Sequence, residues 1–383
     1  MSNYHFREEH LQLRDAVRKM VEKHVAPIAA EIDENARFPR ELVEVFGDMG
    51  LLQLWVPEKY GGPEGDLTAL CIVKEEIAKV SESAALLAGN NSIGLVLPIL
   101  HFGTEEQKVH YLGIAAKGRT VAAVAITEAE TGSDVSSMKT RAVKDGASWV
   151  INGSKIYISF GSVADYVLVF ARTSQGKGTR GISAFLVDTT VDGFSHGKED
   201  RKMGIKGVPN APLFFDNVRV PAENMIGAEG EAFKTCMRIL DLNRPTVGAV
   251  SVGLAQGAID AAMGYAKQRI QFGKPIAEFQ GIQNMLAEMQ MNTEAARCML
   301  YDCTRMADTQ DWNGFSAKAS MVKCFASDNA MRVTTDAVQI FGGAGYMCEH
   351  PVERYMRDAK VNQIFEGTSQ IQKLVIARHM LAQ

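Results

Sequence analysis

The sequence reads as an α+β protein built from three successive units: helical, then β, then helical again. Three observations carry that reading. Residues 1 to about 120 repeat apolar side chains at the helical period, and residues 121 to 230 break into short β-prone runs separated by turn residues. Residues 231 to 383 return to helical spacing in much longer elements. At 383 residues, 46% hydrophobic and 22% charged, the chain has the length and composition of a globular protein with more than one domain-sized unit.

Each unit has its own signals. In the first, "HLQLRDAVRKMVEKHVAPIAAEID" places Leu11, Val17, Met20, Val21 and Val25 roughly on one helical face, with Pro27 as punctuation. A loop follows at "PEKYGGPEGD", and "LTALCIVKEEIAKVSESAALLAG" resumes the helical period. In the second, "TRAVKDGASWVINGSKIYIS" holds Asp145-Gly146 and Asn152-Gly153, both dipeptides of the hairpin-turn type. "DYVLVFAR", "GISAFLVD" and "APLFFDNVRVP" continue in the same style, which predicts a small antiparallel sheet or barrel. In the third, two stretches within 278–310 and 316–343 exceed the usual three or four turns and predict a four-helix bundle. Many of the 18 methionines fall in helical segments, where they read as core gap-fillers.

Charge and composition exclude several function classes. Lys plus Arg number 41 against 45 Asp plus Glu, a net charge of −4, and no basic run is interleaved with aromatics. Nucleic acid is therefore not an expected partner. The first residues are polar and no window holds about 18 uninterrupted apolar residues, so no membrane insertion and a cytoplasmic location are expected. Six cysteines lie scattered without a CxxC pair, as free thiols do in a reducing compartment. The histidines form no HExxH, and no protein-held metal is expected.

Five stretches offer chemistry. "ITEAETGSD" (126–134) presents Thr127, Gly132 and Ser133, which can offer N–H groups and hydroxyls to a polar ligand; alone, it is a turn of small polar residues. "KIYISFG" (155–161) puts Tyr157 and Ser159 on one strand face if the period of two holds, a surface for a planar heterocycle or for sheet packing. "RIQFGKPIAEFQ" (269–280) groups Arg269, Phe272 and Gln280 around a Gly-Lys-Pro turn between helices, and a guanidinium there can clamp a phosphate. "QIFGGAG" (339–345) ends a long helix in adjacent glycines, without the βαβ surroundings of a dinucleotide fingerprint. "VNQIFEGTSQIQKLV" (361–375) sets Glu366 ahead of a helix for which Ser369 and Gln372 match a capping box. The helix dipole favours ionised Glu366, whereas burial would raise its pKa.

Taken together and in this order, "ITEAETGSD", "QRIQFGKPI", "AVQIFGGAGY" and "RDAKVNQIFEGTSQIQ" resemble the acyl-CoA dehydrogenases, flavoproteins that oxidise acyl-CoA thioesters between Cα and Cβ. The resemblance runs from about residue 5 to the end. It implies an FAD site built from the stretch Val124 to Ser133, including Ile126 and Thr127, together with Tyr157, Ile158 and Ser159. It implies that Arg269, Phe272, Gln280, Gln339, Gly342 and Gly343 receive the pyrophosphate and adenosine end from a neighbouring subunit, and that Thr368 and Gln370 also touch FAD. Ser133, Asp241 to Arg244 and Gly367 fall at acyl-CoA contacts, and Glu366 at the catalytic base that removes the Cα proton while hydride leaves Cβ for flavin N5. Some relatives carry the base where this chain has Asn243, and an asparagine cannot accept the proton. Residues 129–132, Tyr157 and Ser159-Phe160 depart from the commoner Pro-Gly-Ala-Gly, Trp and Thr-Asn.

The resemblance further implies electron-transferring flavoprotein as acceptor and a homotetramer built as a dimer of dimers. Asn90-Asn91-Ser92, in the part that shapes the acyl pocket, resembles the short-chain members, so short, branched or cyclic acyl groups are expected. An enoyl-CoA reductase running the reverse reaction and a catalytically silent acyl-CoA binder stay open as alternatives.

Overall fold

The structure, a computed structural model, describes residues 4–174 and 178–382; positions 1–3 and 383, at the ends of the first and last sequence units, lie outside the described residues. The first unit folds as α1 (Glu8–Met20), α2 (Ala29–Asn35), α3 (Arg40–Asp48), α4 (Leu67–Ala78), α5 (Glu82–Leu87), α6 (Leu97–Phe102) and the short α7 (Glu105–Gln107) and α8 (Gly113–Ala115). Val17, Met20, Val21 and Val25 are buried, and Pro27 falls in the tight turn that separates α1 from α2. Every residue of α4 is buried. Two carboxylates serve its N-terminus: Asp66 accepts from the Ala69 N–H at 2.7 Å, and Asp308 accepts from Leu67 N–H at 2.9 Å. Because Asp308 belongs to the third unit, this cap also docks α4 against it.

The middle unit is one sheet of β1 (Ala122–Ala125), β2 (Arg141–Asp145), β3 (Ser148–Ser159), β4 (Tyr166–Arg172), β5 (Ile182–Asp188), β6 (Phe194–His196), β7 (Asn210–Pro221) and β8 (Met225–Ile226). The order is β6-β7-β3-β2-β4-β5-β8, with β1 on β4. The sheet is mixed where a purely antiparallel one was expected, because β1 runs parallel to β4 and β2 meets β4 in one parallel pair. The β2–β3 hairpin turns at Gly146 as expected, with Asp145 opposite Ser148. Asn152-Gly153 makes no turn. It lies inside β3 opposite an extra residue of β7, and Asn152 closes that bulge by accepting from Asn217 N–H at 2.9 Å. A Cβ on Gly153 would stand 2.8 Å from the Thr140 Cα, so close strand approach is what requires glycine there.

The last unit is helical, as expected: among the described residues the long α9 (Ala232–Gln268), α10 (Gln280–Asp308) and α11 (Phe315–Phe341) are followed by the shorter α12 (Pro351–Asn362) and α13 (Ser369–Leu381). A two-stranded hairpin, β9 (Ile270–Gln271) and β10 (Lys274–Pro275), joins α9 to α10 and turns at Phe272-Gly273, both at positive φ, in place of the expected Gly-Lys-Pro turn. The segments Glu82–Phe102 and Ala232–Gln268 are long and apolar enough to cross a membrane, yet 83% and 72% of their apolar windows are buried inside the protein, as in core helices.

Candidate active site

Between α12 and α13 the chain makes a strained turn. Glu366 stands at φ 55° and Gly367 at φ 87°, both left-handed. For glutamate that conformation costs about 1–3 kcal/mol and must be held by its surroundings. Gln372 holds it, donating from its buried amide to the Glu366 carbonyl at 3.1 Å and the Gly367 carbonyl at 2.9 Å. Lys323 on α11 donates to the same Gly367 carbonyl at 2.7 Å. The expected capping box on Ser369 and Gln372 is therefore absent: Thr368 is the N-cap, accepting from Ile371 N–H at 3.2 Å, while Ser369 lies buried in the first turn. The physical reason is that Gln372 reaches back to two carbonyls ahead of the helix, which leaves the cap to the residue before Ser369.

The turn points the Glu366 carboxyl into the protein. Its Oε2 is enclosed and has no hydrogen-bond partner. Burial pushes this carboxyl above the usual range, against an Asn243 hydrogen bond and the charges of Lys323, Arg244 and Lys74, which pull it down. Asn243 Oδ1 already accepts from Thr246 at 2.9 Å, so its NH₂ is the end left for Glu366. Burial lowers both Lys323 and Lys74 to about 8. Arg244, buried on α9, pairs with Asp241 and donates to Ser320 at 3.2 Å, while its Nε is enclosed without a partner. Burial raises Asp241, which also accepts from Ser316 at 3.0 Å. The Glu366 backbone N–H has no acceptor among the described residues. The arrangement is a base of raised proton affinity, ringed by cations, beside an unused donor.

The β-unit candidates converge from the other side. Val124 lies on β1, and the Ile126 and Thr127 carbonyls accept from Lys155 Nζ and Ile156 N–H, both at 2.9 Å. Lys155, fully buried, pairs with Glu128 at 2.8 Å; Glu128 also accepts from Lys139 and Thr140 N–H at 2.6 and 3.0 Å. This pair fixes both ends of the loop that carries exposed Ser133. The period of two assumed for Tyr157 and Ser159 is interrupted by a second bulge, with Tyr157 at φ 58°. Both still emerge on the less buried side, Tyr157 67% exposed and Ser159 half-buried, with Ile158 buried between them. Cys236 on α9 feels both Lys155 and Glu366, so the two halves meet across that helix.

A second set lies elsewhere. Arg269, Phe272, Gln280, Gln339, Gly342 and Gly343 are all exposed, Phe272 at 94%. Arg269 ends α9, roughly 38 Å along its axis from Arg244. A Cβ on Gly342 or Gly343 would meet nothing of this chain within 4 Å. Gly343, not at positive φ, is thus glycine for no reason internal to the chain, and the surface is open to a close-approaching group such as a dinucleotide's phosphates. Thr368 is half-buried and Gln370 exposed beside the Glu366 turn.

Sequence reasoning missed Lys323, Lys74, Gln372 as a clamp, and the Lys155–Glu128 pair. A trace existed for one of them: Lys323 interrupts the mostly apolar stretch "MVKCFA", whereas Lys74 opens the charged triplet Lys74-Glu75-Glu76. Asn90 and Asn91 prove to be ties between units. Asn90 donates to the Ala122 carbonyl at 2.6 Å, and Asn91 Oδ1 accepts from the Ala122 N–H at 3.0 Å.

Comparison with known proteins identifies the family to which this fold belongs. The acyl-CoA dehydrogenase N-terminal, middle and C-terminal domain families match residues 7–119, 123–218 and 230–381. The chain belongs to the acyl-CoA dehydrogenase family, FAD-dependent flavoproteins and oxidoreductases acting on CH–CH bonds. It is 48% identical over 98% of its length and 96% of the relative's to the probable acyl-CoA dehydrogenase FadE25 of Mycobacterium tuberculosis. It is 45% identical to the cyclohex-1-ene-1-carbonyl-CoA dehydrogenase of Geobacter metallireducens, covering 98% and 99% of the two chains. The solved butyryl-CoA dehydrogenase of Megasphaera elsdenii superposes with a TM-score of 0.94 at 40% identity, covering 98% of this chain and 99% of that one.

Proposed function

We propose that this chain catalyses α,β-dehydrogenation of a short, branched or cyclic acyl-CoA, with Glu366 as the base that removes the Cα proton. The observation that carries the reading is the enclosed, partnerless Oε2 of Glu366 on a backbone clamped in the left-handed region. Burial raises the affinity of the carboxyl for a proton, and Lys323, Arg244 and Asn243 keep it ionisable. As the Cα proton leaves, negative charge grows on the thioester oxygen, and the unengaged Glu366 N–H is the donor this chain offers to it. Ser133, Asp241, Arg244 and Gly367 position the acyl-CoA.

Val124 to Ser133, Tyr157, Ile158, Ser159, Thr368 and Gln370 would hold FAD, which would supply the acceptor for the hydride that leaves Cβ. The length of α9 between Arg244 and Arg269 supports the reading that the Arg269 and Gly342-Gly343 surface serves a neighbouring subunit's FAD, within a homotetramer. Electron-transferring flavoprotein is the proposed acceptor, as suits the family. A cytoplasmic location is supported by six free cysteines. The similarity to butyryl-CoA and cyclohex-1-ene-1-carbonyl-CoA dehydrogenases supports the substrate range.

The test is the anaerobic visible spectrum of the purified protein before and after short, branched and cyclic acyl-CoAs. Bleaching of a yellow protein by one ester supports the proposal. A flavin that no acyl-CoA bleaches, but that enoyl-CoA reoxidises after prior reduction, would replace it with the reductase reading. A colourless protein that FAD cannot load would leave a silent binder.

A further inference from the structure

α4 carries a buried lysine at the end of an apolar run, followed by the buried Glu75 and Glu76. Lys74 is 5% exposed, preceded by Leu70, Cys71, Ile72 and Val73, all buried. It makes no hydrogen bond or ion pair within 4 Å among the described residues, yet it acts on both Glu366 and Glu82. Its side chain passes over Gly89, which stands at φ 74°: a Cβ there would meet Leu70 Cδ1 at 2.6 Å first, then Lys74 Cε at 3.3 Å. A side chain at 89 would press on both Leu70 and the lysine.

The neighbours of Lys74 are incomplete in the same way. Glu82, the first residue of α5, is fully buried with both carboxyl oxygens enclosed and unpartnered. Asn362, which faces Glu82 from the end of α12, has both amide atoms enclosed and unpartnered. An ammonium, a carboxyl and an amide thus gather between α4, α5, the turn at Gly89 and the end of α12; the Asn362 amide faces the Glu82 carboxyl, and Lys74 is the member left with neither a hydrogen bond nor an ion pair among the described residues. Each buried polar group left so costs about 1–3 kcal/mol, and a charged one more. Such a set is explained when a further polar group completes it.

We propose that Lys74 is a specificity-determining residue whose ammonium, packed over Gly89, receives a hydrogen-bond acceptor carried on the acyl chain beyond Cβ, a carboxylate or a carbonyl oxygen. This rests on the reading of Glu366 as the base: Lys74 acts electrostatically on that carboxyl, which sets its ammonium near an acyl chain that presents Cα to Glu366. Residues 83–103 contain no arginine, so the cation for such a group comes from α4. A purely hydrocarbon tail leaves Lys74 buried and unpaired, which is the physical basis of discrimination against it.

The test compares pentanoyl-CoA, 4-oxopentanoyl-CoA and glutaryl-CoA on the flavin-loaded enzyme, by kcat/KM and by calorimetric binding to the Glu366→Gln protein. An acceptor-bearing ester is expected to be preferred by about tenfold or more over pentanoyl-CoA. Lys74→Met is expected to reverse that order in both measurements. Preference for glutaryl-CoA alone identifies a carboxylate, and preference for both acceptor-bearing esters identifies any carbonyl oxygen. Should Lys74→Met not fold, Lys74→Gln is expected to keep a preference for the keto ester and lose that for glutaryl-CoA. A wild-type preference for pentanoyl-CoA, or an equal loss on all three esters in the variant, overturns the proposal. If none of the three bleaches the flavin while other acyl-CoAs do, Lys74 has been misread. If no acyl-CoA does, the dehydrogenase reading itself fails, and this proposal with it.

Discussion

Lys323 donates to the Gly367 carbonyl at 2.7 Å and faces the Glu366 carboxyl one residue earlier. A single side chain thus fixes the left-handed backbone and opposes the burial that raises the base. Lys323→Met removes both effects, so the Glu366 carboxyl should rise further. Because the base works only when deprotonated, activity rises as pH rises through its pKa. The acid limb of the kcat/KM profile should therefore move to higher pH in the variant. A limb that stays in place while only Tm falls would make Lys323 a scaffold residue alone.

Asn243 offers its NH₂ to Glu366 while its Oδ1 is occupied by Thr246. Asn243→Leu keeps the volume and removes the donor, and it leaves the Thr246 hydroxyl without its acceptor. The expected result is a second alkaline displacement of the acid limb, with kcat/KM at neutral pH lower by about tenfold. Additivity with Lys323→Met is not expected, since both act on one carboxyl. A double-mutant cycle over pH measures the coupling.

The Lys155–Glu128 pair is buried on both sides, and Lys155 also binds the Ile126 carbonyl. Lys155→Met strands a buried carboxylate and should cost about 3–5 kcal/mol in chemical denaturation. It should also lower the flavin-to-protein ratio, because the 126–140 loop loses its tie to β3. Glu128→Gln should cost less than Lys155→Met, since no buried carboxylate is stranded, although its one side-chain oxygen replaces the two that accept separately from the Lys139 and Thr140 N–H groups.

Arg269 is exposed at the end of α9, beside the open glycines at 342 and 343. Arg269→Ala should leave the circular dichroism spectrum unchanged and raise the FAD dissociation constant about tenfold, as expected for the loss of a charge-assisted contact. The ratio of flavin to protein after gel filtration checks this. Unchanged retention would remove the second surface from the cofactor site.

Asp358 lies under the Ile205 N–H, and burial raises its carboxyl to about 6. Asp33 raises it further, whereas the Ile205 N–H and the charges of Arg354 and Arg357 lower it. A folded-state pKa above the unfolded value means that folding favours the protonated form. Its contribution to stability is full below the unfolded pKa and lost as pH rises through about 6. Tm should therefore fall between about pH 4 and 6, the interval between the two values, and Asp358→Asn should flatten that fall. Glu82, raised by burial and by Asp358, extends the loss to higher pH.

What the sequence made legible was local or periodic. The helical, sheet and helical order follows from side-chain spacing, and Asp145-Gly146 turns where a hairpin dipeptide should. Asn152-Gly153 carries the same signal but is overruled by β7 and Thr140, partners that local sequence does not reveal. The parallel β1–β4 pair and the Thr368 cap, one residue ahead of the expected one, were hidden for the same reason. In the site, Glu366 was visible through its motif, but its supports were not. Gln372 looked like a capping residue, and Lys323 and Lys74 act on a turn that only the packing of α11 against α13, and of α4 against α9, brings near. A charge inside a mostly apolar helical stretch was the one sequence trace, and it marked Lys323 alone.

The central claim is that Glu366 removes the Cα proton. Its most direct test is stopped-flow bleaching of the flavin by the best acyl-CoA, with wild type and Glu366→Gln loaded equally with FAD. The account predicts that the variant binds the ester and keeps its flavin while the bleaching rate falls by about 10²–10⁴-fold or more. A variant that bleaches at a near-wild-type rate would contradict it and place the base elsewhere.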